Sequence, residues 1–416
     1  VHAVNFFIYL ASLASFSFLL RELIRSRSSD EAYFLPRWAL EAFGYTLFLI
    51  SSLRLITLAM VTPDMLVAFF IYLASGILLY IRRKRETWLP FALLGFTLGL
   101  GYIAKVALLP IAFIFFIVCF FTLRGVSRGM LRLALAFVVF LMVISPFAYV
   151  LSRKEGRFTF GDAGPLAYSF AVNGSRYHNY VHWQGDEVNG MPLHPSREIF
   201  DAPAVYEFSS PIGGTYALWY DPLYWHEGRR IYVSLQNELS AISRNARDYY
   251  RLFLENYSAL IVVFLALFFA ASSKRLLIKQ VMSYWFIFLP SAAALSMYLL
   301  VLVQERYIGA FSALFLLSIF AGVRVSDSPS SRRLLDGLIL SALVIMLGII
   351  GFASVNDVRG TARILVFGEP QDAHIHWKIA QGLQEKGVNR GDRVAYIGRR
   401  FGGLEAFWGH LAGVRV

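Results

Sequence analysis

The chain has 416 residues, of which 57% are hydrophobic and only 16% charged, and its mean hydropathy is +0.56. That balance excludes an ordinary soluble domain, in which about a quarter of the residues are charged. The apolar residues gather in runs of roughly 17–23, the length that crosses a ~30 Å hydrocarbon core, rather than in the short alternating strands of a membrane barrel. The net charge of +12 would suit nucleic acid, but most basic residues sit in short loops between apolar runs, as cytoplasmic loops do. The charge therefore reads as topology, membrane lipids are the expected partners, and nucleic acid is not.

In chain order, apolar segments fall near 1–20, 38–57, 63–81, 88–104, 107–123, 132–151, 253–272, 281–303, 307–323 and 335–353. The fold class predicted is an all-α polytopic transmembrane helical bundle. Basic clusters follow alternate segments: Arg21, Arg25, Arg27 and Arg37, then Arg82, Arg83, Lys84 and Arg85, then Arg124, Arg128 and Arg132, then Lys274, Arg275 and Lys279, then Arg324, Arg332 and Arg333. With these inside, the turns at 58–62, 104–107 and 304–306, the loop at 152–252 and everything after 354 lie outside. The expected organisation is thus helices over 1–151, an extracytoplasmic aromatic-rich loop over 152–252, helices over 253–353, and an outer soluble tail over 354–416.

No signal peptide is visible, and the chain opens at Val1 inside an apolar run. "VTPDMLVAFF" puts Asp64 at a turn between two runs. Thr62 as a cap, Pro63 at the first helical position and an acid in the first turn explain it as a helix start. "GFTLG", Gly95 to Gly99, is a small-xxx-small pattern suited to close helix packing. Lys105 is the only charge in a long apolar stretch, a costly placement that points to function or to snorkelling from a helix end. Cys119 lies inside an apolar run, so neither a disulfide framework nor a Cys metal site is expected.

The loop is rich in Tyr, Trp, His, Pro and Gly, which argues against disorder. Its His178, His182, His194 and His226 lack metal-ligand spacing. Trp183, Trp219 and Trp225 read as a local core or interface belt, with an aromatic floor for a sugar as the alternative. Asn173 and Asn256 head N-x-S sequons. "QERYIGAF" places Glu305 and Arg306 in another outer turn, either as a mutual ion pair or with the guanidinium facing a phosphate. Asp64, Lys105, Glu305 and Arg306 map to one membrane face, where two cations and two acids suit an anionic head group. In the tail, "PQDAHIHWKIAQGLQEKG" reads as a helix stopped by Gly387, and "DRVAYIG" as a strand. No phosphate-cradling glycine loop is present, against a nucleotide-driven pump.

"VTPDMLVAFFIYLASGILLY", "GFTLGLGYIAKVALLP" and "ERYIGAFSALF" together resemble the GT-C membrane glycosyltransferases, in the branch of the protein O-mannosyltransferases, the lipid A aminoarabinose transferase and the RgtA/B/C/D-like enzymes. The resemblance covers much of residues 1–325. It implies transfer of a sugar from a polyprenyl-phosphate donor at the extracytoplasmic face, most simply of a bacterial inner membrane, to a glycolipid, polysaccharide or protein acceptor. It further implies that Asp64, Lys105 and Arg306 line the donor phosphate site; Glu305 joins them by adjacency alone. The family's catalytic acid belongs to a first outer loop expected upstream of Val1, so it is assigned to no residue here and this chain alone is expected to be inactive. No cofactor is called for, and a divalent metal stays open. A transporter or flippase of lipid-linked saccharides is the alternative.

Overall fold

The computed structural model describes residues 2–27, 35–57, 62–84, 86–123, 128–173, 184–202, 205–207, 227–270, 273–323, 329–367, 375–394 and 407–414. Helices dominate: α1 (His2–Arg25), α2 (Arg37–Leu49), α3 (Asp64–Arg83), α4 (Leu89–Ala104), α5 (Leu108–Thr122), α6 (Gly129–Glu155) and α7 (Ala163–Ala171). A short antiparallel pair, β1 (Arg197–Phe200) and β2 (Val205–Glu207), precedes α8 (Leu235–Ala270). Then come α9 (Lys274–Met282), α10 (Trp285–Leu300), α11 (Glu305–Gly322), α12 (Pro329–Phe367), α13 (Ile375–Glu385) and α14 (Phe407–Ala412).

Six of the described helices, α1, α3, α6, α8, α11 and α12, are long and apolar enough to cross a membrane, so the chain is a multi-pass, all-α membrane protein. All ten apolar segments fall on helices, but the other four are not single straight spans. α4 and α5 have 16 and 15 residues, which at 1.5 Å per residue fall short of a 30 Å core. α2 continues as a π-helical turn, Ile50–Leu55. α9 and α10 form one apolar pair bent by 84°.

Two glycines decide how α4 meets α6. A Cβ on Gly95 would stand 1.9 Å from the Ala136 carbonyl oxygen, and one on Gly99 would stand 2.7 Å from Val143 Cγ1. The backbones touch there because nothing intervenes, which is how small residues associate helices in a lipid that offers no hydrophobic driving force. Gly76 lets Phe18 of α1 approach α3 in the same way. At the far end of that pair, the buried Glu22 carboxylate accepts from Arg83 at 2.8 and 3.1 Å and from Arg25 at 2.9 Å. Arg82 lies over the Phe286 ring at 3.9 Å. The basic cluster after α3 is therefore fastened to the bundle as well as charged.

The contacts divide the chain into one compact unit of residues 1–161 and 242–356, and a second of 162–241 and 357–416. The first holds the apolar core. In the second, Tyr168 donates to Glu238, Asn173 Nδ2 donates to the Tyr232 carbonyl at 2.7 Å, and Arg229 lies over the Phe170 ring. The expected tail helix is α13. Gly387 closes it at a φ of +88°, with Val388 N donating to Leu383 O at 3.0 Å. Most of the expected strand "DRVAYIG" lies outside the described residues, as do Trp183, Trp219, Trp225, His178, His182 and His226.

Candidate functional site

The start of α3, the link between α4 and α5, and the first turn of α11 meet at the end of the bundle opposite the Glu22–Arg83 pair. Asp64 is the first residue of α3, with 3% of its side chain exposed. The capping expected of Thr62 is not seen: the helix is preceded by Pro63 and has no side-chain cap. Its dipole can favour the Asp64 carboxylate, but that carboxylate spends its oxygens on tertiary contacts instead.

Lys105 occupies the three-residue link after α4, in extended conformation. Its Nζ donates to Asp64 Oδ1 at 2.6 Å and sits 3.7 Å from the centroid of the Tyr307 ring. Burial pushes the ammonium below the ordinary lysine range; Asp64 opposes that shift and Arg306 adds to it. Arg306, in the first turn of α11, stands with Nε 3.7 Å from Asp64 Oδ2. The same Nε donates to Gln304 Oε1 at 3.2 Å, and Nη2 donates to the Tyr307 hydroxyl at 3.4 Å. Tyr307 is in turn stacked on Tyr298, centroids 5.5 Å apart. Three of the four residues singled out from the sequence thus converge, with two cations on one carboxylate and an aromatic plate beneath.

Glu305 differs. It is exposed, and the mutual ion pair with Arg306 does not form, because the guanidinium turns to Asp64. Glu305 instead lines a neighbouring cavity of about 330 Å³ together with Arg306, Gln304, Asp248, Arg251 and Leu252. A second, apolar cavity of about 480 Å³ lies between α8 and α10, among Tyr249, Phe253, Leu295, Leu299 and Phe315.

The structure adds residues that the sequence reading passed over. Arg54 sits in the π-helical turn and donates from Nε to Asn256 of α8. Asn256 is 1% exposed and its amide donates to the Leu252 carbonyl at 2.8 Å. Both sequon asparagines, Asn173 and Asn256, are therefore buried and hydrogen-bonded within the fold. Arg54 had a signal, the one basic residue inside the run 38–57. Tyr307 had one only in being next to Arg306. Among the described residues, no group of three or more His, Cys, Asp or Glu side chains comes together as metal ligands.

Chemically, the Asp64 cluster has one more positive than negative charge, with fixed donors on two separate elements. Such a site can receive an anionic group and stabilise charge developing on it. No family model, curated protein or solved structure matches the chain.

Proposed function

We propose that this chain is a membrane glycosyltransferase of the GT-C type, which takes a sugar from a polyprenyl-phosphate carrier at the extracytoplasmic face. The observation that supports it is the convergence of Lys105 and Arg306 on Asp64 at the end of the bundle away from the basic clusters. Cleaving a lipid-phosphate–sugar bond leaves negative charge on the departing phosphate. Two preorganised cations lower the cost of that charge, and Asp64 holds them in register while the site is empty. Arg306 offers the planar fork that matches phosphate oxygens, and Lys105 a compact point charge. The apolar cavity between α8 and α10 suits a hydrocarbon chain, as a lipid-linked donor requires. Glu305 stands apart from the phosphate cradle and lines the neighbouring cavity.

The test is binding of farnesyl phosphate to the purified chain in detergent, followed by thermal unfolding. Farnesyl phosphate should stabilise the protein where farnesol does not, and Arg306→Lys should lose most of the effect, because a bidentate contact is not kept by lysine. Equal stabilisation by farnesol would remove the phosphate site. A transporter of lipid-linked saccharides keeps one observation in its favour, the broken α9–α10 pair together with the short α4 and α5, since such helices line transport sites. Scrambling of a labelled polyprenyl-phosphate sugar across vesicles, without transfer, would select it.

A further inference from the structure

Beside the Asp64 cluster, the 330 Å³ cavity between α8 and the turn leading into α11 has a composition that the donor phosphate does not explain. Its wall carries two carboxylates, Asp248 and Glu305, two guanidiniums, Arg251 and Arg306, and the amide of Gln304, over the apolar side chain of Leu252. Asp248 is half-buried and Glu305 exposed, and among the described residues neither forms an ion pair. Arg251 is held to Glu255 at 3.7 Å, on its own helix. Arg306 is shared with Asp64 and Gln304. Both guanidiniums are anchored through Nε and keep further N–H groups, so the wall offers donors as well as the two acids as acceptors.

From this we infer that the cavity is a carbohydrate-binding subsite, taking a neutral, polyhydroxylated ring whose hydroxyls donate to Asp248 and Glu305 and accept from Arg251, Arg306 and Gln304. Three observations carry it. The charges of the wall cancel, so no net charge is asked of the ligand. Acceptors and donors line one wall, as vicinal hydroxyls need, because each hydroxyl both donates and accepts. The groove is open to solvent and its volume of about 330 Å³, at the small end of ligand pockets, accommodates a single ring. The inference rests on the donor reading above only for its role: Arg306 borders both sites, so the subsite would hold the acceptor sugar next to the donor phosphate.

The experiment tags carboxylates of the purified chain with a water-soluble carbodiimide and glycine ethyl ester, and follows Asp248 and Glu305 by mass spectrometry. The probes are methyl glycosides of common hexoses and pentoses at high millimolar concentration, with phosphoethanolamine as the zwitterionic comparison. At least one glycoside should slow tagging of both residues, by about threefold at twice its dissociation constant, from 1 + [L]/Kd. Tagging of Glu41, which pairs with Arg37 at the other end of the bundle, should not change. Arg251→Gln should weaken the protection while leaving the farnesyl phosphate response intact. No protection by any glycoside, or protection by phosphoethanolamine alone, would overturn the subsite. Sugar protection without a farnesyl phosphate response would keep the subsite and remove the donor reading instead.

Discussion

Replacing Lys105 by Met tests the Asp64 cluster as a physical object before any activity is measured. Asp64 is 3% exposed and Lys105 20%, with 2.6 Å between the charged atoms; Arg306 remains 3.7 Å away on the other oxygen. Removing one partner of a buried ion pair costs about 3–5 kcal/mol, chiefly because the other charge stays buried and uncompensated. Two features reduce that here: Lys105 keeps some solvent, and Arg306 still faces the carboxylate. Coulomb attraction falls inversely with distance, so Lys105 supplies ~1.4 times the attraction of Arg306. The expected loss is about 2–3 kcal/mol for Lys105→Met and ~1–2 kcal/mol for Arg306→Gln. The assay is denaturant unfolding in one detergent, with Asp64→Asn combined with Lys105→Met as the control. The double variant leaves no orphaned carboxylate, and Arg306, a quarter exposed, keeps Gln304 and Tyr307, so it should recover more than half of the loss. If Lys105→Met stays within roughly 0.5 kcal/mol of the parent, or if the double variant loses the full sum, the pair does not hold the site together. The same control is needed for any activity measurement. A silent Lys105→Met by itself would not separate loss of the phosphate contact from collapse of the pocket, whereas the double variant restores the fold and leaves the cation missing.

Three further outcomes are expected. Gly95→Ala should force α4 from α6, because its Cβ would lie 1.9 Å from a backbone oxygen; the cost of such overpacking is about 1–3 kcal/mol by denaturant unfolding, while Gly348→Ala, in open space on α12, should be neutral or slightly stabilising. Glu22→Gln keeps the shape of the α1–α3 latch but leaves Arg83 without its carboxylate, for about 1–3 kcal/mol; an unchanged unfolding midpoint would make the contact ornamental. Tyr168 donates to Glu238, which pushes its phenol up to about 12, with desolvation adding to the shift. An unfolded phenol ionises near pH 10, so the contact contributes fully below that pH and is lost as pH rises through about 12. Tyr168→Phe should therefore make the residues around it more susceptible to proteolysis at pH 8, and the difference should vanish towards pH 12; a difference that grows with pH would reverse the assignment.

The composition and the spacing of apolar runs were enough to read a helical, multi-pass protein, because a bilayer admits few ways of satisfying backbone polar groups and helix is the one these runs fit. The glycines of "GFTLG" were legible for the same reason: a residue without a Cβ is a signal wherever helices must touch. Lys105 stood out because a lone charge in an apolar stretch is costly, and Arg306 because a guanidinium in an otherwise cation-poor outer turn matches a phosphate; neither signal depends on knowing the neighbours. Other features were hidden. Asp64 read as a helix start and as a neighbour of Lys105 on one membrane face, and only the fold showed its carboxylate bound to the Lys105 ammonium. Arg54 passed unnoticed within an apolar run, since its partner Asn256 is distant in sequence. Asp248 and Arg251 fell within the stretch read as an outer loop, 152–252, whereas they lie on α8; lining a cavity is a property of what stands opposite.

The sequence by itself determined the helices, their apolar faces and the charges that a membrane would not leave without a purpose, because each of these is set by local composition against the energy of transfer into lipid. The tertiary structure alone decided that Asp64, Lys105, Arg306 and Tyr307 form one cluster and that Glu305 belongs to the cavity beside it. Those facts depend on distances between side chains far apart in the chain. Packing fixes such distances, and no pattern along the sequence encodes them singly.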